Sequence, residues 1–327
     1  MLGLYSVIID HERKIDRLVN EVDKSEVVLN RFGGEMIGYR IFDAASNRVL
    51  PLLYRDAIVE TPEVGWKNHA TILFPIVGGL KNKKSQFGDI EITSRGNHGF
   101  ARHSLFELVE TRDDGCAMIR YRLKSNPDTH TYYPFEFQFD LVYQLVGNNL
   151  SITFEITNPG SQSMYYQFGW HPGFATPIVN GIGSKENCRI VLPKGRFTRY
   201  HNNDACLLTG ETSAVEVDGA LIWTEKALEE TLIFAIDDPA MRQVTLEDPA
   251  SQVFIRMEFP DFPHLGLWSK QGDNFICIEP WQGMDDHLEQ ESFDQKLGIM
   301  RLEPGQVDKR EIQVKPWIGK TTTACLP

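Results

Sequence analysis

The sequence predicts an all-β protein made of packed antiparallel sheets, organised as a single domain over residues 1–327. Three observations support this fold class. Several segments alternate apolar and polar residues with a period of two, turn residues separate these segments, and long helical periodicity is nearly absent. Because neither a low-complexity linker nor an internal repeat divides the chain, packed sheets in one domain are the economical architecture.

A predicted hairpin shows the alternation most clearly. In residues 135–141 and 150–157 every second position is apolar, and Gly147-Asn148-Asn149 between the two segments is typical of a hairpin turn. Residues 118–124 and 255–259 alternate in the same way, and a short strand at 311–314 closes the chain. The best helical segment, residues 224–229, begins at a threonine suited to capping a helix N-terminus.

Composition and charge narrow the possible partners. A net charge of -12 argues against nucleic-acid and anionic-membrane partners, because both reward basic patches. We see no secretory signal in residues 1–9 and no apolar run of membrane-spanning length. The five cysteines are odd in number and contain no CxxC pair, which favours reduced thiols and a cytoplasmic location. These cysteines are Cys116, Cys188, Cys206, Cys277 and Cys325. We expect the protein to be a monomer or a weak homodimer.

The segment around Glu279 carries the strongest chemical signal. Residues 275–278 form an apolar run typical of a buried strand, and the strand is predicted to end at Glu279 because Pro280 cannot donate to a sheet ladder. A half-desolvated carboxylate at such a rim has a raised pKa, as a general base needs, and Trp281 offers a flat apolar surface to a sugar ring. A structural carboxylate that accepts hydrogen bonds from backbone amides fits this segment equally well.

Three further segments place reactive or permissive residues near turns. Residues 73–82 read as a strand that runs into a glycine turn, where the backbone can approach a ligand or simply reverse direction. His98 stands beside a glycine and four residues before Arg102, and His171 lies between an aromatic residue and a Pro-Gly turn. Taken alone, each histidine is more often a structural group than a catalyst.

Read together and in order, these segments resemble the signature segments of the aldose 1-epimerase (galactose mutarotase-like) family, and most closely its LacX-like branch. The resemblance implies a large antiparallel β-sandwich, the galactose mutarotase-like supersandwich, with a sugar bound in a cleft on one face. It also implies that no cofactor and no catalytic metal takes part. The segments that carry it are residues 72–82, 98–102, 169–174, 265–270, 277–281 and 296–305.

The resemblance also implies a reaction and roles for individual residues. The reaction is the interconversion of the α and β anomers of a free hexose or a related sugar. Glu279 matches the general base that removes the proton from the C1 hydroxyl, and His171 matches the general acid that protonates the ring oxygen. Such chemistry needs one base and one acid on opposite sides of the hemiacetal. His98 matches a second histidine that hydrogen-bonds the sugar, and Trp268 and Trp281 would supply apolar walls.

Two positions depart from the pattern of the family. Relatives in this branch usually carry an arginine at the position of Gly79, where it contacts sugar hydroxyls. Lys81 and Arg102 are the residues that could reach into the same space, although neither is a geometric equivalent of a guanidinium at that position. The acidic sugar ligand of the family is best matched by Glu230, ahead of residues 232–234. Both departures bear on sugar affinity and choice more than on acid–base chemistry.

Two alternatives share the same fold. A hexose-6-phosphate 1-epimerase would need a cluster of basic residues at the mouth of the cleft, and Gly79 counts against it. A noncatalytic carbohydrate-binding protein would keep the pocket without turnover.

Other classes of enzyme fit less well. A retaining glycosidase needs two facing carboxylates about 5 Å apart, and Asp285 and Asp286 are predicted to lie past a turn without pointing back at Glu279. A metal site built from His98, His103 and His171 is disfavoured because the first two would fall on opposite faces of an extended chain.

Overall fold

The computed structural model describes residues 4–56 and 65–319, which form almost entirely antiparallel β-structure. Within these residues the first strands are β1 (Tyr5–Asp10), β2 (Ile15–Asn20), β3 (Ser25–Asn30), β4 (Glu35–Asp43), β5 (Arg48–Pro51), β6 (Ala70–Leu73), β7 (Lys84–Phe87), β8 (Ile90–Thr93), β9 (Glu107–Arg112), β10 (Ala117–Lys124), β11 (Gln138–Val146) and β12 (Asn149–Thr157). The later strands are β13 (Met164–Tyr166), β14 (Phe168–Ala175), β15 (Arg189–Val191), β16 (Gly195–Asn202), β17 (Leu208–Val217), β18 (Leu232–Ala235), β19 (Gln243–Asp248), β20 (Val253–Glu258), β21 (His264–Trp268), β22 (Phe275–Gln282), β23 (Met300–Leu302) and β24 (Val307–Ile318). The α-helices are α1 (Pro127–His130) and α2 (Glu225–Glu229), and short 3₁₀ turns span Lys81–Lys83, Ala101–His103, Lys185–Asn187, Pro239–Met241 and Phe293–Gln295.

Two large sheets dominate the architecture. An eight-stranded sheet has the order β15-β19-β20-β24-β12-β11-β10-β9, and a seven-stranded sheet has the order β17-β16-β18-β21-β22-β14-β6. Strands β1 to β5 form a five-stranded sheet in chain order, and two small sheets pair β13 with β23 and β7 with β8. The predicted all-β fold with several antiparallel sheets is confirmed.

The main core lies between the two large sheets. Phe154 on β12 packs against Phe168 on β14 with ring centroids 5.7 Å apart, and Phe139 on β11 packs against Phe74 at 4.8 Å. All four rings are buried and belong to one continuous apolar cluster. These ring contacts come from both sheets, which is the layered packing expected of a sandwich.

Strands β14 and β22 lie side by side in the seven-stranded sheet and turn different residues to its two faces. Trp170, Ile276 and Ile278 belong to the buried cluster between the sheets. Because successive side chains of a strand point to opposite faces, the intervening residues His171 and Glu279 face away from that core. The cavity described below lies on this outer face.

Several predicted elements occur where the alternation placed them. The hairpin of β11 and β12 pairs Val146 with Asn149 around a Gly147-Asn148 turn, and Thr224 caps α2 by accepting a hydrogen bond from the Ala227 N–H. Strand β11 begins at Gln138, three residues later than predicted. The closing strand β24 is longer than predicted, at 12 residues, because it is a central strand between β12 and β20.

The described chain has no helix with the length and apolar character needed to cross a membrane. Cys116, Cys188, Cys206 and Cys277 are free thiols, whereas Cys325 lies outside the described residues, as do residues 1–3 of the predicted non-secretory N-terminus.

Candidate functional site

A cavity of about 340 Å³ opens on the outer face of the seven-stranded sheet. Strands β14, β16, β21 and β22 contribute side chains to it, and the remaining lining comes from the segments that precede and follow these strands. The lining residues are Trp66, Asn68, Asn97, His98, Arg102, His171, Asn202, Cys206, Thr231, Trp268, Glu279, Trp281 and Asp285.

His171 and Glu279 meet on adjacent strands at the centre of this cavity. The β14–β22 ladder pairs Gly169 with Trp281 and Gly173 with Cys277, so its register places His171 opposite Glu279. Nε2 of the imidazole lies 3.2 Å from Oε2 of the carboxyl. The two groups that the sequence predicts as acid and base are therefore in contact.

The predicted strand end at Glu279 is wrong. Strand β22 continues to Gln282, and Glu279 lies within it with only 1% of its surface exposed, so the carboxyl is fully buried and not at a rim. Pro280 lies within the strand, in register with Leu265 of β21. The β14–β22 ladder is interrupted between the Gly169–Trp281 and Gly173–Cys277 pairs, so no ladder pair to β14 includes Pro280.

Burial controls the protonation of this pair. It raises the pKa of Glu279 well above the usual glutamate value, an effect strengthened by the charge of Asp285 and opposed by the Trp281 indole and the Arg102 guanidinium. It lowers the pKa of His171 well below that of a free imidazole, with the nearby His98 and Arg102 acting in the same direction. Burial thus favours one shared proton, held by Glu279 beside a neutral His171.

His98 is held in one orientation by the glycine turn. The Gly78 N–H donates to Nδ1 of His98 over 3.1 Å, which leaves Nε2 of the neutral ring as a hydrogen-bond donor. Burial and the charge of Arg102 lower the pKa of His98 to about 3, so the ring is neutral at physiological pH. Its φ of 71° is in the left-handed region, and non-glycine residues held in that region often belong to functional sites.

Arg102 contributes a guanidinium group to the lining of the cavity. Among the described residues it forms no side-chain hydrogen bond and no ion pair within 4 Å, although the charges of Glu35 and Glu279 act on it. Burial lowers its pKa, and these two carboxylates oppose the shift. Its donors therefore remain available to a ligand.

Three tryptophans form the apolar walls. Trp66 stacks on His171 with centroids 5.1 Å apart and meets Trp268 edge-on at 5.8 Å. Trp281 lies close over the glycines of both neighbouring strands: a Cβ on Gly266 would fall 2.7 Å from its ring, and one on Gly169 would fall 2.9 Å away. The sequence thus predicted two of the three wall residues, Trp268 and Trp281. It did not predict Trp66, which precedes β6 and lies outside the recognised motifs.

Lys81 and Glu230 do not line the cavity. The Lys81 ammonium donates to the Leu288 carbonyl on the protein surface. Glu230 follows α2 and is half exposed, with an ion pair to Lys226 at 3.6 Å. The chain then turns at Thr231, whose φ is 63°, and Thr231 lines the cavity in place of Glu230.

Asp285 does line the cavity, so the expectation that it points away from the site of Glu279 is wrong. The Gly79 N–H donates to its Oδ1 over 3.0 Å, which draws the carboxyl back over the turn. Asp286 does lie outside, where it accepts from the Lys81 N–H and from Gln290. The remaining cavity residues that sequence reasoning missed are Asn68, Asn97, Asn202 and Cys206, which lie beside or between the recognised motifs.

One group of side chains has the spacing needed to bind a metal ion. Ligand atoms of His171, Cys277 and Glu279 all lie within 4.8 Å of one another. However, burial raises the pKa of the Cys277 thiol well above its usual range, which disfavours the thiolate that binds metals. His103 is exposed and does not share the cavity with His98; the reason is the 3₁₀ turn at Ala101–His103 and not an extended chain.

Comparisons with known proteins give a consistent picture. Two LacX proteins of Lactococcus lactis subsp. lactis, one chromosomal and one plasmid-borne, are each 28% identical to this chain, over 76% of it and 85% of the relative. A galactose mutarotase related enzyme from Lactobacillus acidophilus superposes with a TM-score of 0.80 and 26% identity, covering 98% of both chains.

A galactose mutarotase-like protein from Lactobacillus casei superposes with a TM-score of 0.77, covering 96% of this chain and all of the other; at 22% identity it supports the fold alone. The family model described as aldose 1-epimerase matches residues 18–315, nearly the whole chain. These matches confirm the resemblance seen in the motifs. The chain therefore belongs to the aldose 1-epimerase family.

Proposed function

We propose that this protein is an aldose 1-epimerase that interconverts the anomers of an unphosphorylated hexose or a related sugar. The observation that carries the proposal is the contact of a buried carboxyl and a buried imidazole, 3.2 Å apart, in a cavity with tryptophan walls. Membership of the family supports an isomerase of this type.

The reaction needs two proton transfers at neighbouring atoms. The C1 hydroxyl must lose its proton and the ring oxygen must gain one, and both oxygens are bonded to C1. A base and an acid that stand side by side can therefore serve both atoms. Because only 3.2 Å separates the two groups, the hemiacetal lies across the pair and not between them, in contrast to the opposed arrangement expected from sequence.

The catalytic cycle proceeds through the minor form of this one-proton pair, in which the shared proton has moved from Glu279 to His171 and leaves a carboxylate beside an imidazolium. Glu279 takes the C1 hydroxyl proton while His171 gives its proton to the ring oxygen, the C1–O5 bond opens, and both protein groups become neutral. Burial favours this neutral pair, so ring opening relieves two buried charges. Rotation about C1–C2 and reclosure, with both protons returned, then produce the other anomer.

Charge separates this proposal from a sugar-phosphate epimerase. Among the described residues that line the cavity, Arg102 is the one strongly basic side chain, while Glu279 and Asp285 are acidic. A phosphate would need a cluster of cations, and the Asp285 carboxylate would repel it. The cavity therefore favours an uncharged sugar.

The test is the approach to anomeric equilibrium of freshly dissolved α-glucose and α-galactose, followed by polarimetry or proton NMR. We expect wild-type protein to accelerate equilibration and Glu279→Gln to lose about 10² to 10⁴-fold of that acceleration while still folding. Tryptophan fluorescence of the variant reports whether it still binds the sugar.

Three other outcomes would contradict the proposal or favour one of its alternatives. Wild-type rates in Glu279→Gln would overturn the assignment of the base. Sugar binding without acceleration by the wild-type protein would favour the noncatalytic alternative. Preference for glucose 6-phosphate over glucose would favour the sugar-phosphate alternative.

A further inference from the structure

The Asp285 carboxyl is fixed in the cavity wall and has no role in the two proton transfers. It is buried, with 5% of its residue surface exposed, and its Oδ1 accepts the Gly79 N–H. The preceding glycine is needed for this position: a Cβ on Gly78, whose φ is 65°, would fall 1.8 Å from the same oxygen. The turn is thus shaped around the carboxyl.

Lys296 and Lys81 do not pair with the Asp285 carboxyl on the side that faces the cavity. Lys296 is buried, donates its ammonium to the Met284 carbonyl and does not line the cavity. Lys81 directs its ammonium to Leu288 at the surface. In the described part of the cavity wall, Arg102 is the one lysine or arginine, and Asp285 forms no ion pair with it within 4 Å.

The space beside Asp285 is open and polar. Gly79 contributes no side chain, and a Cβ built there would first meet Oδ1 of Asn97 at 3.1 Å and then the Cys206 carbonyl at 3.7 Å. Asn202 also lines the cavity, and its side chain opposes the rise in the pKa of the Asp285 carboxyl. One end of the cavity therefore combines a carboxylate with two side-chain amides and a backbone carbonyl.

We propose that Asp285, with Asn97 and Asn202, forms a recognition subsite that binds neighbouring hydroxyl groups of the sugar other than the C1 hydroxyl and rejects anionic sugars. The inference rests on the proposed function, because it takes an aldose as the ligand. A carboxylate accepts hydrogen bonds from two hydroxyls, and hydrogen bonds to a charged acceptor are the stronger kind. An anionic substituent at the same place would meet a like charge in a partly desolvated site.

The test compares Asp285→Asn with the matched control Asp286→Asn, which makes the same chemical change at the adjacent buried residue outside the cavity. We expect Asp285→Asn to raise KM for the preferred neutral sugar about 10- to 100-fold with kcat changed less than threefold. Asp286→Asn should stay within twofold of wild type for both constants. An unchanged KM in Asp285→Asn, or equal effects of the two variants, would overturn the subsite.

Monodeoxy sugars show whether hydroxyl groups are the ligands. For an analogue that lacks a contacted hydroxyl, we expect the loss caused by Asp285→Asn to shrink to about threefold or less. The same loss across the whole deoxy series would contradict direct hydroxyl binding.

Gly79 offers a second route if the first variant folds poorly. Its backbone does not require glycine, so Gly79→Ala serves as the control for the added Cβ, which would lie 3.1 Å from Oδ1 of Asn97, whereas Gly79→Arg also places a cation beside Asp285. We expect Gly79→Arg to weaken neutral sugars and improve the binding of a hexuronate or hexose 6-phosphate at least fivefold. Identical binding by the arginine and alanine variants would overturn the charge argument.

Calorimetric binding separates this inference from the proposed function. A protein that accelerates no sugar but loses sugar binding in Asp285→Asn overturns the epimerase proposal and supports the subsite. An active enzyme whose KM and Kd are unchanged in Asp285→Asn supports the epimerase and overturns the subsite.

Discussion

The two ends of the cavity are built in different ways. At one end, Glu279 and His171 are held by the register of two adjacent central strands. At the other, Asp285 is held by a glycine turn, and its neighbours Asn97 and Asn202 come from separate segments of the chain. In the proposed function, proton transfer uses the strand-held end, which we call the rigid end, and sugar choice uses the turn-held end, which we call the variable end. Turns can vary without disturbing the sheet.

The first way to test this comparison is to remove the acid at the rigid end. We expect His171→Asn to lower kcat about 10² to 10⁴-fold, because the ring oxygen loses its proton donor. The pH profile should also change. Wild-type activity should fall at low pH, below the usual imidazole pKa because burial lowers that of His171, and fall again at high pH when the pair loses its shared proton.

In the variant, activity should only rise with pH as Glu279 ionises, at a pH above the usual glutamate pKa because burial raises it. Rates measured from pH 4 to 9 check this, with protein-free equilibration subtracted. A two-sided profile in His171→Asn would show that another group is the acid.

A smaller effect is expected when Asp285, at the variable end, is replaced and the stability of the protein is measured. Burial raises the pKa of Asp285 to about 6, even though the Gly79 N–H, Lys296 and Asn202 oppose the shift and Asp286 adds to it. Because the folded pKa lies above the unfolded one, the ionised group destabilises the fold increasingly as the pH rises from about 4 through 6. Asp285→Asn should therefore raise the free energy of unfolding by about 1–3 kcal/mol at pH 7.5 and by little at pH 4.

Denaturant unfolding at the two pH values measures this gain. The Asp286→Asn variant serves as the reference. A gain that is equal at both pH values, or absent at pH 7.5, would show that the carboxylate is not held at an energetic cost.

The smallest effect is expected outside both ends. Lys81→Met and Glu230→Gln should keep kcat and KM within twofold of wild type, because neither side chain lines the cavity. Steady-state equilibration rates decide this. A tenfold rise in KM for either variant would place that residue in the sugar site and enlarge the variable end.

Sequence reasoning predicted the rigid end better than the variable one. Period-two alternation identifies strands, and short motifs identified Glu279 and His171 within them, so the face and the pairing follow from local pattern. It failed where residues far apart in the chain converge. Asp285 was expected to point away because the hydrogen bond from Gly79, 206 positions earlier, cannot be read from either segment.

Strand ends were a further source of error. Pro280 was taken to end β22, but the strand continues past it through a gap in the β14–β22 ladder between the Gly169–Trp281 and Gly173–Cys277 pairs. The acidic ligand was sought at Glu230, one residue before Thr231, which the left-handed turn places in the cavity. The organisation of the chain as a single domain stays a prediction.

The alternation of β14 and β22 has an evolutionary consequence. Trp170, Ile276 and Ile278 belong to the buried core of the sandwich, while His171 and Glu279, next to them in sequence, line the cavity. Selection for stability and selection for chemistry therefore act on interleaved positions of the same two strands. A lineage can revise its catalytic groups here one at a time while the hydrophobic interior it inherited stays intact.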